Sequence, residues 1–137
     1  VTKEKVKQMD EYKVSAIHTH SSPTDIYLSK SSNGEKNWDR MYAYELKSAY
    51  TNYNGMALIV GCSSFKNTGL NTWADATSKA NVRGGTTADW TKVYGRTFIN
   101  KYFSSMGSGN TAAYANNYAA GSTGPKLTLL GNTGFKL

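Results

Sequence analysis

Two residue types that together perform nucleophilic catalysis stand at the ends of two similar segments. Met56-Ala57-Leu58-Ile59-Val60 runs into Gly61-Cys62-Ser63-Ser64, and Val14-Ser15-Ala16-Ile17 runs into His18-Thr19-His20-Ser21-Ser22. Cys62 is the sole cysteine. An unperturbed thiol is mostly protonated at neutral pH, so a cysteine that attacks a substrate needs a neighbouring base or cation. An imidazole supplies one. His20 lies nearer the end of its segment than His18 and directly before small residues, which makes it the candidate partner. His18 reads as a strand histidine satisfied by its neighbours. His20 and Cys62 are 62 − 20 = 42 positions apart, so only a fold that lays the two segments side by side can join them. A lone cysteine is also at home in a core, where it behaves as a small hydrophobe. Cys62, after a glycine and before two serines, stands instead where a strand gives way to a loop.

The same residues make a poor metal site. His18-Thr19-His20 puts two imidazoles on one face of a strand, but a structural zinc site takes four protein ligands and a catalytic one three. The remaining candidates, Cys62 and Asp25, complete no recognised spacing. No metal and no other cofactor is expected.

The elements that must position these groups follow from periodicity and punctuation. Thr2 to Tyr12 reads as the end of a polar helix with apolar positions only at Val6 and Met9. The strand from Val14 to Ile17 follows. Pro23-Thr24-Asp25 signals a turn, Ile26-Tyr27-Leu28 a short β excursion, and Ser29 to Glu35, with Asn33-Gly34, a loop. Asn37 or Asp39 is expected to cap a helix carrying Tyr42, Leu46, Ala49, Tyr50 and Tyr53 on one face, stopped by Asn54-Gly55. After Cys62 the expected order is a polar loop from Ser63 to Thr72, a short helix from Trp73 to Asn81 and a brief strand opening into a turn over Val82 to Thr87. A helix capped by Asp89 then carries Trp90, Val93, Tyr94, Thr97, Phe98 and Tyr102 as a core-packing stripe. A helix from Thr111 to Ala120 and a strand from Lys126 to Leu130 complete the chain. Strands alternating with helices imply an α/β fold around a mostly parallel sheet. In open sheets of that kind, ligands and chemistry gather at the carboxyl ends of the strands.

Composition narrows the function classes. With 137 residues the chain has room for one domain, and residues 1–137 are read as a single one. No apolar run approaches the length of a membrane span. The net charge of +7 raises nucleic acid as a partner, yet Lys3, Lys5, Lys7 and Lys13 crowd the first thirteen residues and the remaining cations are scattered. Without an Arg/Lys cluster interleaved with aromatics, nucleic-acid binding is not expected. One cysteine forbids an internal disulfide. Abundant Ser, Thr, Asn, Gly and Tyr with few acids is a composition common among secreted bacterial proteins, so a secreted or cell-surface location is expected.

The order strand, histidine, small residues, β excursion, helix, strand, cysteine resembles the caspase-like cysteine peptidases, the group of caspases, legumains, clostripain and gingipains. The bacterial gingipain-like branch is most similar, through Val82 to Thr87, the aromatic stripe of Trp90 to Phe103, Gly109-Asn110-Thr111 and the closing Leu127 to Gly131. The resemblance runs from Val14 onward on short motifs. It implies a caspase-like three-layer fold, of which this chain supplies the later strands and helices as the carboxyl-terminal part of the catalytic domain. It also implies a self-processing endopeptidase in which Cys62 attacks, His20 protonates the leaving amine, and the backbone N–H groups of Ser21 and Cys62 hold the oxyanion. The expected partners are a peptide or protein substrate and the remaining amino-terminal part of the domain or a second chain.

Two departures stand beside it. Ser21 takes the place of the family's glycine after the histidine, at a strained geometry if the position demands φ > 0. A catalytically inactive binding or assembly module on the same scaffold is therefore the alternative, with ten tyrosines and three tryptophans available as contact surface. The chain also lacks room for the strand–helix units that precede the histidine strand in the family. For specificity, Asp25, Asp75 and Asp89 are candidates to neutralise a basic side chain before the scissile bond, the preference of the bacterial relatives. Asp25, Asp89 and Trp90 are the candidate substrate-binding residues.

Overall fold

A run of five apolar residues with no polar interruption fits a strand covered on both faces. Met56–Val60 forms that strand, and every one of its residues is buried. The computed structural model describes residues 2–30 and 38–137, as α1 (Lys3–Lys7), a 3-10 turn (Gln8–Glu11), β1 (Val14–His18), β2 (Asp25–Lys30), β3 (Trp38–Tyr42), α2 (Ala43–Lys47), β4 (Met56–Val60), α3 (Trp73–Ala76), β5 (Val82–Gly85), α4 (Lys92–Gly107), α5 (Ala112–Ala120) and β6 (Thr128–Gly131). The main sheet has the order β1-β4-β5-β6. β1, β4 and β5 run parallel, and β6 lies antiparallel on β5. This is an α/β fold with a mostly parallel sheet, as the alternation of elements implied.

Side chains alternate between the two faces of the sheet. Ala57 and Ile59 of β4, with Ile17 of β1, pack against Val6, Met9, Ile26, Met41, Leu46 and Trp73. Met56, Leu58 and Val60, with Val14 and Ala16, pack on the other face against α4 and α5 through Phe98, Tyr102, Met106 and Ala115. The inner stripe of α4 is Tyr94, Phe98 and Tyr102, led by Trp90 just before the helix, with Trp90 and Phe98 in edge contact at 4.8 Å. Val93, expected in that stripe, is exposed, as is Thr97. Among the described residues no helix is long and apolar enough to cross a membrane.

Besides β6, which spans Thr128–Gly131 rather than Lys126 to Leu130, and α1, which ends at Lys7 rather than near Tyr12, three boundaries differ from the sequence expectation. Asp39 caps no helix: it lies within β3, which pairs with β2 so that the fully buried Met41 faces Ile26 and Arg40 lies over the Tyr27 ring. Asn37 and the loop around Asn33-Gly34 fall outside the described residues. The helical spacing there is accidental, since Tyr42 and Tyr53 are both solvent-facing and α2 covers only five residues. Nor does Asp89 cap α4. Thr91 does, its hydroxyl accepting from the Tyr94 N–H at 3.1 Å. The third boundary is α3, which ends at Ala76 rather than Asn81.

Candidate functional site

The two motif-bearing segments are neighbours. β1 and β4 pair in parallel register, Val14 opposite Met56 and His18 opposite Val60, so their carboxyl ends emerge together. The Thr19 N–H donates to the Val60 carbonyl at 3.1 Å and carries the pairing one step beyond the strands. Continuing each strand's alternation places His18, His20 and Cys62 on the α4 face, the side of Ala16 and Val60. A cavity of about 220 Å³ opens there, lined by His18, Thr19, His20, Gly61, Cys62, Trp90 and Lys92.

The chain around Cys62 is held on both sides. Gly61 is needed because a Cβ there would overlap the Thr19 carbonyl and the Ser21 hydroxyl. Ser63 then takes a left-handed conformation, φ 57°, that turns the chain off the strand, its N–H donating to the Ala88 carbonyl at 3.0 Å. Beneath the turn, fully buried Ser64 and Thr86 fix the loop: Ser64 Oγ donates to the Ile59 carbonyl at 2.6 Å and Thr86 Oγ1 to the Gly61 carbonyl at 2.7 Å. Cys62 is a half-buried free thiol, its Sγ 3.8 Å from the Trp90 carbonyl.

Ser21 is locked from two directions. Its hydroxyl donates to the Cys62 carbonyl at 3.0 Å, and it bridges Ile26 in the antiparallel sense. The flanking bonds, Tyr27 N–H to the His20 carbonyl and Ser22 N–H to the Asp25 carbonyl, make Ser21 a non-hydrogen-bonded pair member. In such a pair the residue's own N–H points away from the opposing strand. Among the described residues Ser63 and Asn71 are the non-glycine positions with positive φ. Ser21 is not one of them, so the strain expected of a serine here is absent.

His18 and His20 are both exposed and both line the cavity. The His18 ring lies against Gly95, which leaves room for it on α4. Its pKa falls below the ordinary 6.5, first because contact with the protein disfavours the charged ring, then through Arg96, Lys92 and His20. His18 is therefore part of the cavity, although spacing alone marked it as a strand filler.

The specificity candidates separate. Trp90 lines the cavity and is 7% exposed. Asp89 is exposed, does not line the cavity, and accepts from Ser63 Oγ at 3.1 Å. Asp25 does not reach the cavity: it is buried, accepts from the Ser22 hydroxyl and lies 3.9 Å from Arg40. In that position it braces the turn into β2. Asp75 pairs with Lys47 at 2.9 Å, which with the Asn71 N–H holds its carboxyl below the usual range. Sequence reasoning missed Lys92. A signal existed, because a cation in the first turn of a helix opposes the helix dipole and asks for another reason to be there.

Among the described residues no group of three or more His, Cys, Asp or Glu is arranged to hold a metal ion. A second cavity, of about 570 Å³, runs along the outer edge of β1 between Val6, Met9, Val14, Ala16, Tyr27 and Leu28. It shares His18 and Thr19 with the first. No protein-family model matches the chain, and no curated protein sequence matches it.

Proposed function

We propose that the chain carries the nucleophile and acid–base residue of a cysteine endopeptidase with a caspase-like fold. The observation that supports this most is the parallel pairing of β1 and β4, which delivers two imidazoles and the only thiol to one cavity. Cys62 attacks the peptide carbonyl as the thiolate, so that an S–C bond forms and charge moves to the carbonyl oxygen. The backbone N–H groups of Ser21 and Cys62 receive that oxyanion. His20 donates its proton to the leaving amine as the C–N bond breaks, and the neutral imidazole then takes a proton from the water that hydrolyses the thioester. His18 flanks this exchange. Trp90 forms the cavity wall against which a substrate side chain packs.

The reading includes a partner for β1. Its outer edge is unpaired among the described strands, Val14 to Ile17 are only half-buried and His18 is exposed, and the 570 Å³ groove lies along it. A strand from the remainder of the domain, or from a second chain, pairs there.

Iodoacetamide labelling at mildly acidic pH, combined with peptide cleavage, tests the catalytic assignment. Cys62 is expected to react faster than free cysteine, Cys62→Ala to abolish cleavage, and His20→Ala to lower kcat by about 10²- to 10⁴-fold. A thiol no more reactive than free cysteine, in a protein that cuts no peptide, would leave an inactive binding module as the better account. A larger loss in His18→Ala than in His20→Ala would exchange the roles of the two histidines.

A further inference from the structure

Where α4 turns into α5, a hollow of about 190 Å³ is lined by Ser104, Ser105, Ser108, Asn110, Tyr114 and Tyr118. The 16 residues of α4 put roughly 24 Å of helix between it and the start of that helix at Lys92, beside Cys62. Ser105 is buried and Asn110 half-buried. Asn110 Nδ2 donates to the Ser105 carbonyl and to Ser105 Oγ, both at 3.1 Å. A carbonyl only accepts, so the amide nitrogen is the atom turned to Ser105, and Oδ1, which has no protein partner among the described residues, is left for a donor. Ser108 Oγ donates to the Ser104 carbonyl at 3.2 Å, which leaves its lone pairs open as well. Tyr114 and Tyr118, spaced i, i+4 on α5, share one side of that helix and are 57% and 54% exposed. Two large rings thus stand in solvent beside a hollow of unused acceptors.

We propose that this hollow binds a neutral saccharide, one pyranose ring held through its hydroxyls by the serine and asparagine groups and through its C–H face by the tyrosines. The chemistry of the lining selects that class. No lining side chain is charged, so an ionic ligand would give up water for no counter-charge. An apolar ligand would cover Asn110 Oδ1 and the serine hydroxyls without pairing them. Sugar hydroxyls both donate and accept, and the C–H face of a pyranose packs on an aromatic ring as other apolar surface does. The volume suits a single sugar ring, being below the about 300 Å³ at which pockets for drug-sized ligands begin. The site goes beyond the peptidase reading and stands without it, since the hollow shares no residue with the Cys62 cavity. A bound sugar anchors the chain to a glycan and leaves the thiol free.

Amide shift mapping by NMR tests this, with the folded chain titrated separately with D-glucose, D-galactose, D-mannose and N-acetyl-D-glucosamine at millimolar concentrations. At least one of these sugars is expected to shift the amides of Ser104, Ser105, Ser108, Asn110, Tyr114 and Tyr118 saturably. Tyr114→Ala and Tyr118→Ala, both at exposed positions, are each expected to weaken binding by about three- to tenfold, whereas Tyr118→Phe, which keeps the ring, stays within about twofold of the wild type. Tyr53→Ala, at an exposed tyrosine elsewhere, is expected to change nothing. Circular dichroism establishes that each variant is folded before its affinity is read. Iodoacetamide labelling of Cys62 is expected to run at the same rate with and without the sugar. If none of the four sugars shifts these amides saturably, or if binding survives both alanine substitutions undiminished, the proposal is overturned. A sugar that slows Cys62 labelling and shifts the amides around His18 and Cys62 instead sits in the other cavity, which also overturns it. A chain that cuts no peptide yet binds sugar at the tyrosines loses the peptidase reading and keeps this one.

Discussion

One methyl group added at Gly61 would be driven into the Thr19 carbonyl and the Ser21 hydroxyl, neither of which can retreat, because the first belongs to backbone and the second is tied to Cys62. Gly61→Ala is expected to cost about 1–3 kcal/mol in urea titration, as overpacking does, and to slow alkylation of Cys62 by displacing it. His18 supplies a pH signature. Its folded pKa is depressed, so the unfolded chain binds more protons as pH falls, and stability present above pH 6.5 is lost as pH drops through the folded value. The paired carboxyls of Glu45 and Asp75 also have depressed pKa values, but their losses begin nearer pH 4.5 and below. A fall in Tm as the pH drops below 6.5, ahead of the carboxyl losses, that is smaller in His18→Gln would therefore report His18 itself. The exposure of the ring keeps the effect small. At this scale Cys62 and His20 were legible because a reactive type at the end of an apolar run stands out. Thr86 was not, since its importance comes from what chain reversals bring beside it, and Lys92 left only the weak signal of a cation in a helix's first turn.

Elements were legible in proportion to how fully they are buried. β4 was readable because a short uninterrupted apolar run bounded by polar and glycine residues fits little but a covered strand, and β1, with Ser15 inside it and only half-buried, was readable because it leads into its motif in the same way. β3 was not, because Tyr42, Leu46, Ala49, Tyr50 and Tyr53 match a helical period that the fold never uses as one face. The cap of α4 was misplaced by two residues, as Asp89 and Thr91 are both good capping types and only the burial of Trp90 between them decides. The approach to β6 depends on Asn116 of α5, a buried residue whose carbonyl oxygen accepts from the Leu127 N–H at 2.9 Å and whose amide donates to the Leu127 carbonyl at 2.8 Å. Asn116→Ala leaves both backbone groups buried and unpaired, and is expected to cost about 2–4 kcal/mol in denaturant unfolding. Asn116→Asp, which keeps the acceptor and loses the donor, should fall between the wild type and the alanine variant.

At the scale of the molecule, β4 is sealed on both faces while β1 is half-buried along an unpaired edge, an asymmetry that hydrogen exchange can read. For residues 1–137 alone, amides of β4 are expected to exchange last and those on the outer edge of β1 early. A strand that pairs there, as proposed above, should protect the latter. A monomer by sedimentation with β1 as protected as β4 would remove the case for that partner. The choice of adjacent parallel strands has a further consequence. The distance between the two motif-bearing ends is the repeat of the sheet itself, roughly 4.8 Å, which backbone hydrogen bonding sets with little tolerance. Loop length has no part in that ruler. Residues inserted into the exposed stretch from Lys66 to Asn71 should change which substrates reach the cavity while leaving thiol and imidazole in step, so variation in reach and constancy of chemistry can be inherited separately.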